Sequence, residues 1–181
     1  MNKALHSSDS NEWETPWPLV KAINDLVLPY TSFTLDPCAT ALNAKAEKFF
    51  TKEDDGLSKT WGREAVFVNP PYGREIGKWV KKSYEESMKG SSVVMLIAAR
   101  TGTTYWRDYI YSSAARIIFI VGRVGFMVDG RPGGTAPFDS AIVLFHPWIS
   151  TYRGSRIDLE AWEWRKAIKT ELPTSGLVWR S

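Results

Sequence analysis

Apolar residues gather along this chain in unbroken runs rather than in alternation. AVFV (65–68), SVVMLIAA (92–99), ARIIFIVG (115–122) and SAIVLFHP (140–147) each read as strands. A strand with one wet face alternates, so continuous runs imply burial on both faces. Between the runs the spacing becomes helical. PWPLVKAINDLVL (16–28) puts Leu19, Val20, Ile23, Leu26 and Val27 on one stripe, with Thr15 able to cap it, prolines at its entry and Pro29 at its exit. REIGKWVKKSYEESMKG (74–90) turns Ile76, Trp79, Val80, Tyr84 and Met88 inward and Lys78, Lys81, Lys82 and Lys89 outward, with Gly90 suited to the stop. TTYWRDYIYSSA (103–114) predicts a helix, and IDLEAWEWRKAIKTEL (157–172) predicts a final one ending before Pro173. FTLDP (33–37) is a short strand stopped at Asp36 by Pro37. KFFT is another, after ALNAKAEKF, which fits a short helix or none.

Strands alternate with helices over the first two-thirds. The expected fold is therefore α/β, a doubly wound, mostly parallel Rossmann-like sheet. RVGFMVDGRPGGTAPFD is Gly- and Pro-rich and leaves no room for a helix between the last two apolar runs. Those runs should form an antiparallel pair at one edge, near the C-terminal end.

Composition narrows the picture. The 181 residues suit one domain, expected over 13–181 behind a flexible polar stretch, 1–12. No apolar stretch approaches the roughly 20 residues of a membrane span, and the N-terminus has no apolar core like that of a secretory signal. The expectation is a cytoplasmic protein with no membrane partner. The single cysteine, Cys38, rules out an internal disulfide and reads as a small packing residue. One Cys and two His offer no zinc ligand set, so no metal is expected. The net charge of +3 permits nucleic-acid binding without arguing for it. Nine tryptophans allow base stacking, though core packing is their commoner use.

The chemistry concentrates where two strands end. One ends in Asp36-Pro37-Cys38-Ala39, the other in Asn69-Pro70-Pro71-Tyr72. Ligands of open parallel sheets sit beyond such carboxyl ends. Neither proline has an N–H, so Asn69 to Tyr72 is a rigid, acceptor-rich edge carrying an aromatic ring. It can accept hydrogen bonds from an –NH2 group while the ring stacks on the attached planar ring. Two acceptors on an exocyclic amine localise its lone pair, so orientation and electrostatics suffice to make it a nucleophile.

Asn-Pro-Pro-Tyr after a buried strand resembles the catalytic motif of amino-methyltransferases that use S-adenosylmethionine. Glu14-Thr15-Pro16 before a helix resembles the donor-binding segment of one class of DNA adenine methyltransferases, and Leu35-Asp36-Pro37-Cys38-Ala39 resembles their first motif. Glu53-Asp54-Asp55-Gly56-Leu57 resembles the acidic loop that contacts the donor's adenine. With Gly122-Arg123 and Pro137-Phe138-Asp139-Ser140, the ensemble resembles the small phage-type DNA N6-adenine methyltransferases, from about Trp13 to Phe145. The resemblance implies that Asn69, with the Pro70 carbonyl and the rigid Pro71, holds the target amine. Tyr72 would stack on a flipped-out adenine of double-stranded DNA. It implies that Thr15, Pro16, Asp36 and Pro37 bind the donor, that Asp54 or Asp55 accepts from its adenine, and that Phe138 is a second wall of the base pocket. Arg123, with Arg131, Arg153 and Arg156, would grip phosphates or read bases. Protection of a phage or plasmid from host nucleases is the biological role it implies.

The first motif departs from that family. DPCATALN lacks a Gly-x-Gly, the interval from Asp36 to Asn69 is short for two full βα units, and no acidic residue for the ribose follows the second strand. Two other readings therefore stand beside the first. One is a methyltransferase for another amine, such as cytosine N4, an RNA base or a protein glutamine. The other is a catalytically dead nucleic-acid-binding relative. Locally, Asn-Pro-Pro-Tyr also reads as a rigid turn, Asp36-Pro37 as a strand stop, Asp54-Asp55-Gly56 as a turn, and the helix lysines as a solvated face. Oligomeric state is not legible.

Overall fold

The computed structural model describes residues 13–128, 130–147 and 157–166. The expected flexible segment 1–12, Arg153 and Arg156 lie outside them. Seven strands form one sheet: β1 (Leu35–Asp36), β2 (Lys48–Phe49), β3 (Ala65–Val68), β4 (Ser92–Ala98), β5 (Arg116–Ile120), β8 (Ser140–Phe145) and β9 (Asp158–Trp162). Their order is β2-β1-β3-β4-β8-β5-β9. Every pairing is parallel except those of β8, which is antiparallel to both β4 and β5. Strands β6 (Gly125–Val128) and β7 (Arg131–Thr135) form a separate antiparallel hairpin. The antiparallel pairing expected toward the C-terminal end is thus present, and the segment read only as turns supplies a hairpin as well.

Both faces of the sheet are buried, as the unbroken runs require. Val66, Val68, Val93, Met95, Ile97, Ile117, Val143 and Phe145 pack toward helix α2 (Ile76–Met88) and a π-helical turn (Trp106–Ile110) that runs into α3 (Tyr111–Ser113). The intervening Phe67, Val94, Leu96, Ile118 and Ile142 pack toward α1 (Trp17–Val27) and toward Val124, Phe126 and Ala136 around the hairpin. A one-residue slip of any central strand would exchange these sets.

Two local expectations are corrected and one left open is decided. Thr15 does not cap α1. The cap position is Pro16, without a side-chain bond, and the Thr15 hydroxyl is buried and unpartnered. The segment that fitted a short helix or none forms turns and bends over 41–47 and runs directly into β2. The tail from Asp158 to Trp162 is a strand where helix was expected. Pairing with β5 overrides its helical propensity, and Arg116 ties it down through Glu160 at 2.7 Å and Asp158 at 3.4 Å.

Two contacts set the loops at the carboxyl ends of β1 and β3. A Cβ on Gly56 would lie 1.9 Å from the Pro37 carbonyl oxygen, so only glycine lets the 51–58 loop lie against the end of β1. Trp61 then anchors that loop. Its indole donates to the Gly56 carbonyl at 2.9 Å, and its backbone N–H donates to the fully buried Glu86 carboxylate at 3.0 Å. Burial alone would raise the Glu86 pKa. Bonds from Lys82, Lys89 and the Trp61 N–H outweigh burial and hold it below the ordinary value.

Gly56→Ala should destabilise the fold by about 1–3 kcal/mol in denaturant melts, because backbone rather than a flexible side chain must move. Glu86→Ala should cost about 2 kcal/mol by leaving the Trp61 N–H and Lys82 unpaired. Because the folded-state pKa of Glu86 is lowered, its contribution is present above the ordinary glutamate range. It should disappear as pH falls through the lowered value, so wild type and variant should converge in acid melts.

Candidate active site

Strands β1 and β3 are neighbours, and both of their carboxyl ends open on one cleft of about 650 Å³. Of the residues singled out from sequence, Thr15, Asp36, Pro37, Asp55, Asn69, Pro70 and Pro71 line it. Pro16, Asp54, Tyr72, Arg123 and Phe138 do not.

Asp36 ends β1 and is almost fully buried. Its carboxylate accepts from the N–H of Cys38 at 3.3 Å and of Lys45 at 3.1 Å. Burial outweighs these bonds and raises its pKa to about 6. The Cys38 thiol donates to the Asn69 carbonyl at 3.4 Å, joining the two strand ends. Burial, and then the charge of Asp36, push that thiol well above its ordinary value, which fits a packing role.

The Asn69 side chain is held by its amide, which donates to the Trp13 carbonyl. That bond orients Oδ1 as the remaining acceptor, and Oδ1 is buried without a partner. Native proteins rarely leave such an atom empty, so it marks a place where a donor is missing. The Thr15 hydroxyl, on the same cleft wall, is also unpartnered. Segment 13–15 is fixed to the hairpin by paired bonds between Glu14 and Met127, at 2.9 and 2.8 Å, which also bring Val128 to the cleft.

Tyr72 lies beside the cleft rather than in its wall. Its hydroxyl donates to the Leu96 carbonyl at 3.3 Å. Its ring stacks on Phe138 with centroids 4.8 Å apart and meets Phe126 edge-on at 6.1 Å. Trp13 closes this aromatic cluster against Phe126 and Phe138. The rings of Tyr72 and Phe138 lie closer than two rings with a third between them.

The acidic loop separates its two aspartates. The Asp54 carboxylate is occupied by the Thr51 N–H and hydroxyl, both at 2.9 Å. Asp55 takes a left-handed conformation, φ 54°, and lines the cleft. Arg123 is exposed at the start of the hairpin region, where its carbonyl accepts from Arg165 at 3.0 Å. Sequence reasoning missed Trp13, Lys45, Lys52 and Val128 as cleft residues. Their spacing carries no periodic signal, since loop closure alone assembles them.

The set is rich in acceptors: Asp36, Asp55, Thr15, Asn69 Oδ1, and a Pro70 carbonyl without a donor among the described residues. It suits a ligand bearing amines and hydroxyls, and it fits a nucleoside with an amino-acid end.

Similarity to known proteins agrees with this geometry. The chain is 28% identical over 143 residues to the DNA N-6-adenine-methyltransferase of Haemophilus phage HP1, covering 77% of this chain and 81% of that one. It is 28% identical over 148 residues to the DNA N-6-adenine-methyltransferase of Escherichia phage T1, covering 70% of this chain and 60% of that one. A candidate class I S-adenosylmethionine-dependent methyltransferase from Listeria monocytogenes shares the fold, with a TM-score of 0.52 at 12% identity, over 86% of this chain and 68% of that one. The sequence model of the DNA N-6-adenine-methyltransferase (Dam) family matches residues 2–163, and the chain belongs to that family.

Proposed function

We propose that this DNA adenine methyltransferase takes its methyl group from S-adenosylmethionine and delivers it to N6 of an adenine turned out of duplex DNA. The observation that carries the proposal is the buried, unpartnered Oδ1 of Asn69, in a residue that lines the cleft together with Pro70. These two acceptors take the two N6 hydrogens and draw the amine toward tetrahedral geometry. The nitrogen lone pair, freed from the ring, forms the new N–C bond as the S–C bond breaks. One N6 proton is then lost to water. When bound, the donor supplies an electrophilic methyl on a sulfonium and leaves as a neutral thioether.

The rest of the cleft supports binding of that donor. Asp36 faces its amino-acid end, with Thr15 and Pro37 on the same wall. Asp55 accepts from its adenine, because Asp54 is consumed by Thr51. Tyr72 and Phe138 separate to admit the flipped base between or against them. Arg123 and Arg131 are exposed around the hairpin and reach the DNA backbone. No helix among the described residues is long and apolar enough to cross a membrane.

Asn69→Ala should lower methyl transfer to unmethylated DNA by on the order of a hundredfold or more. Nucleoside mass analysis should find N6-methyladenine with wild type only, and activity indifferent to Asn69 would place the chemistry elsewhere. Donor binding should also depend on pH. Protonation of Asp36 removes the charge facing the donor's ammonium, so affinity for S-adenosylhomocysteine should fall as pH drops through about 6. Asp36→Asn should bind weakly and flatten that profile. A profile unchanged by the substitution would remove Asp36 from the donor site.

A further inference from the structure

The cleft wall carries a buried positive charge to which the proposed reaction gives no work. Lys45 lies in the bends between β1 and β2 and lines the cleft. It is only 9% exposed. Its own N–H is bonded to Asp36 at 3.1 Å, which fixes its backbone beside the buried carboxylate. Its ammonium lies 4.9 Å from the centre of the Trp17 ring, and among the described residues it makes no hydrogen bond or ion pair. A lysine this buried ordinarily has an anionic partner. Burial pulls its pKa below the ordinary value, while the charges of Asp36 and then Glu14 act the other way without touching it.

The other charged groups on the wall are Glu14, Asp36 and Asp55, with the exposed Lys52 at the rim. A carboxylate entering this cleft meets three acids and needs a cation held in place. An α-amino acid brings a carboxylate and an ammonium joined through a single carbon. Asp36 and Lys45, locked to each other through a backbone bond, present the complementary pair of charges.

We propose that Lys45 is the counter-charge for the α-carboxylate of the donor's amino-acid end, with Asp36 facing the α-ammonium of the same group. The assignment rests on the donor reading above. Lys45 is then a positioning residue, remote from the transferred methyl group. It lets the protein tell the donor from adenosine thioethers that lack the amino acid. The Trp17 ring beside its ammonium limits the swing of that charge into water.

The test compares two ligands on the full chain by competition calorimetry: S-adenosylhomocysteine, and 5′-methylthioadenosine, which lacks the amino-acid end. Lys45→Met keeps the stem and removes the charge. It should weaken S-adenosylhomocysteine by roughly ten- to a hundredfold, the range of one charge-assisted hydrogen bond, and leave 5′-methylthioadenosine unchanged. Lys45→Arg should recover most of the loss. Equal losses for both ligands would mean that Lys45 only shapes the cleft, and no loss for either would mean that it holds no ligand; each overturns the assignment. A wild-type chain that binds neither ligand would overturn the donor reading itself, and the role of Lys45 with it. Unchanged 5′-methylthioadenosine binding also certifies that the variant is folded at the cleft.

Discussion

A carboxylate buried at the end of a two-residue strand organises this protein's site. Asp36 sits where the sheet excludes water, and an isolated charge there would be costly. The chain answers by curling back over it. The N–H groups of Cys38 and Lys45 both reach the carboxylate, and Phe50 donates to the Asp36 carbonyl at 2.9 Å while accepting from Ala39 at 3.0 Å. The wrap from Pro37 to Phe50 is therefore shaped by what one side chain needs. Lys45 reaches the cleft because its backbone is part of the wrap, and β2 pairs with β1 because the wrap ends there. The residual desolvation appears as the raised pKa of Asp36.

The second strand end answers a different constraint. Asn69 follows a fully buried strand and cannot continue into regular structure, because two prolines follow. Its amide is spent on the Trp13 carbonyl and its own carbonyl on Cys38, which leaves Oδ1 without a donor. The two strand ends are thus also linked through Cys38, and the cleft between them is lined by acceptors from both. Sheet pairing places the two strands side by side, and the small buried thiol adds one weak bond between their ends, which fits Cys38 as a packing residue.

Much of this was legible in the residue pattern, and for identifiable reasons. The four long apolar runs had to be buried on both faces, and they are. The helix stripes of 17–27 and 76–88 pack through Leu19, Val20 and Ile23 and through Ile76, Trp79 and Val80, while Met88, expected inward, is exposed at the end of its helix. Proline placed the ends of β1 and β3 correctly, because its effect on the backbone is local. Failures fell where a distant partner decides. Asp158 to Trp162 has a helical composition, yet it is a strand because β5 offered an open edge and Arg116 a counter-charge. Thr15 looks like a helix cap, yet α1 begins one residue later and leaves its hydroxyl to the cleft. Tyr72 and Phe138 were read as two walls of one base pocket, and the fold brings the two rings together across 66 positions of the chain.

The sequence by itself determined what was present at each strand end: a rigid Asn-Pro-Pro-Tyr edge, a carboxylate stopped by proline, and an acidic loop with a glycine in it. Those properties belong to neighbouring residues, and covalent geometry enforces them at short range. Only the tertiary structure decided which of them meet. Sheet pairing set β1 beside β3, and the Gly56–Pro37 contact laid the acidic loop against them with Asp55 rather than Asp54 facing in. Lys45 entered the same cleft through a bond to Asp36 nine residues away. Charges separated along the chain acquire a common ligand only when burial and backbone bonds hold them at one distance, and no local pattern encodes that distance.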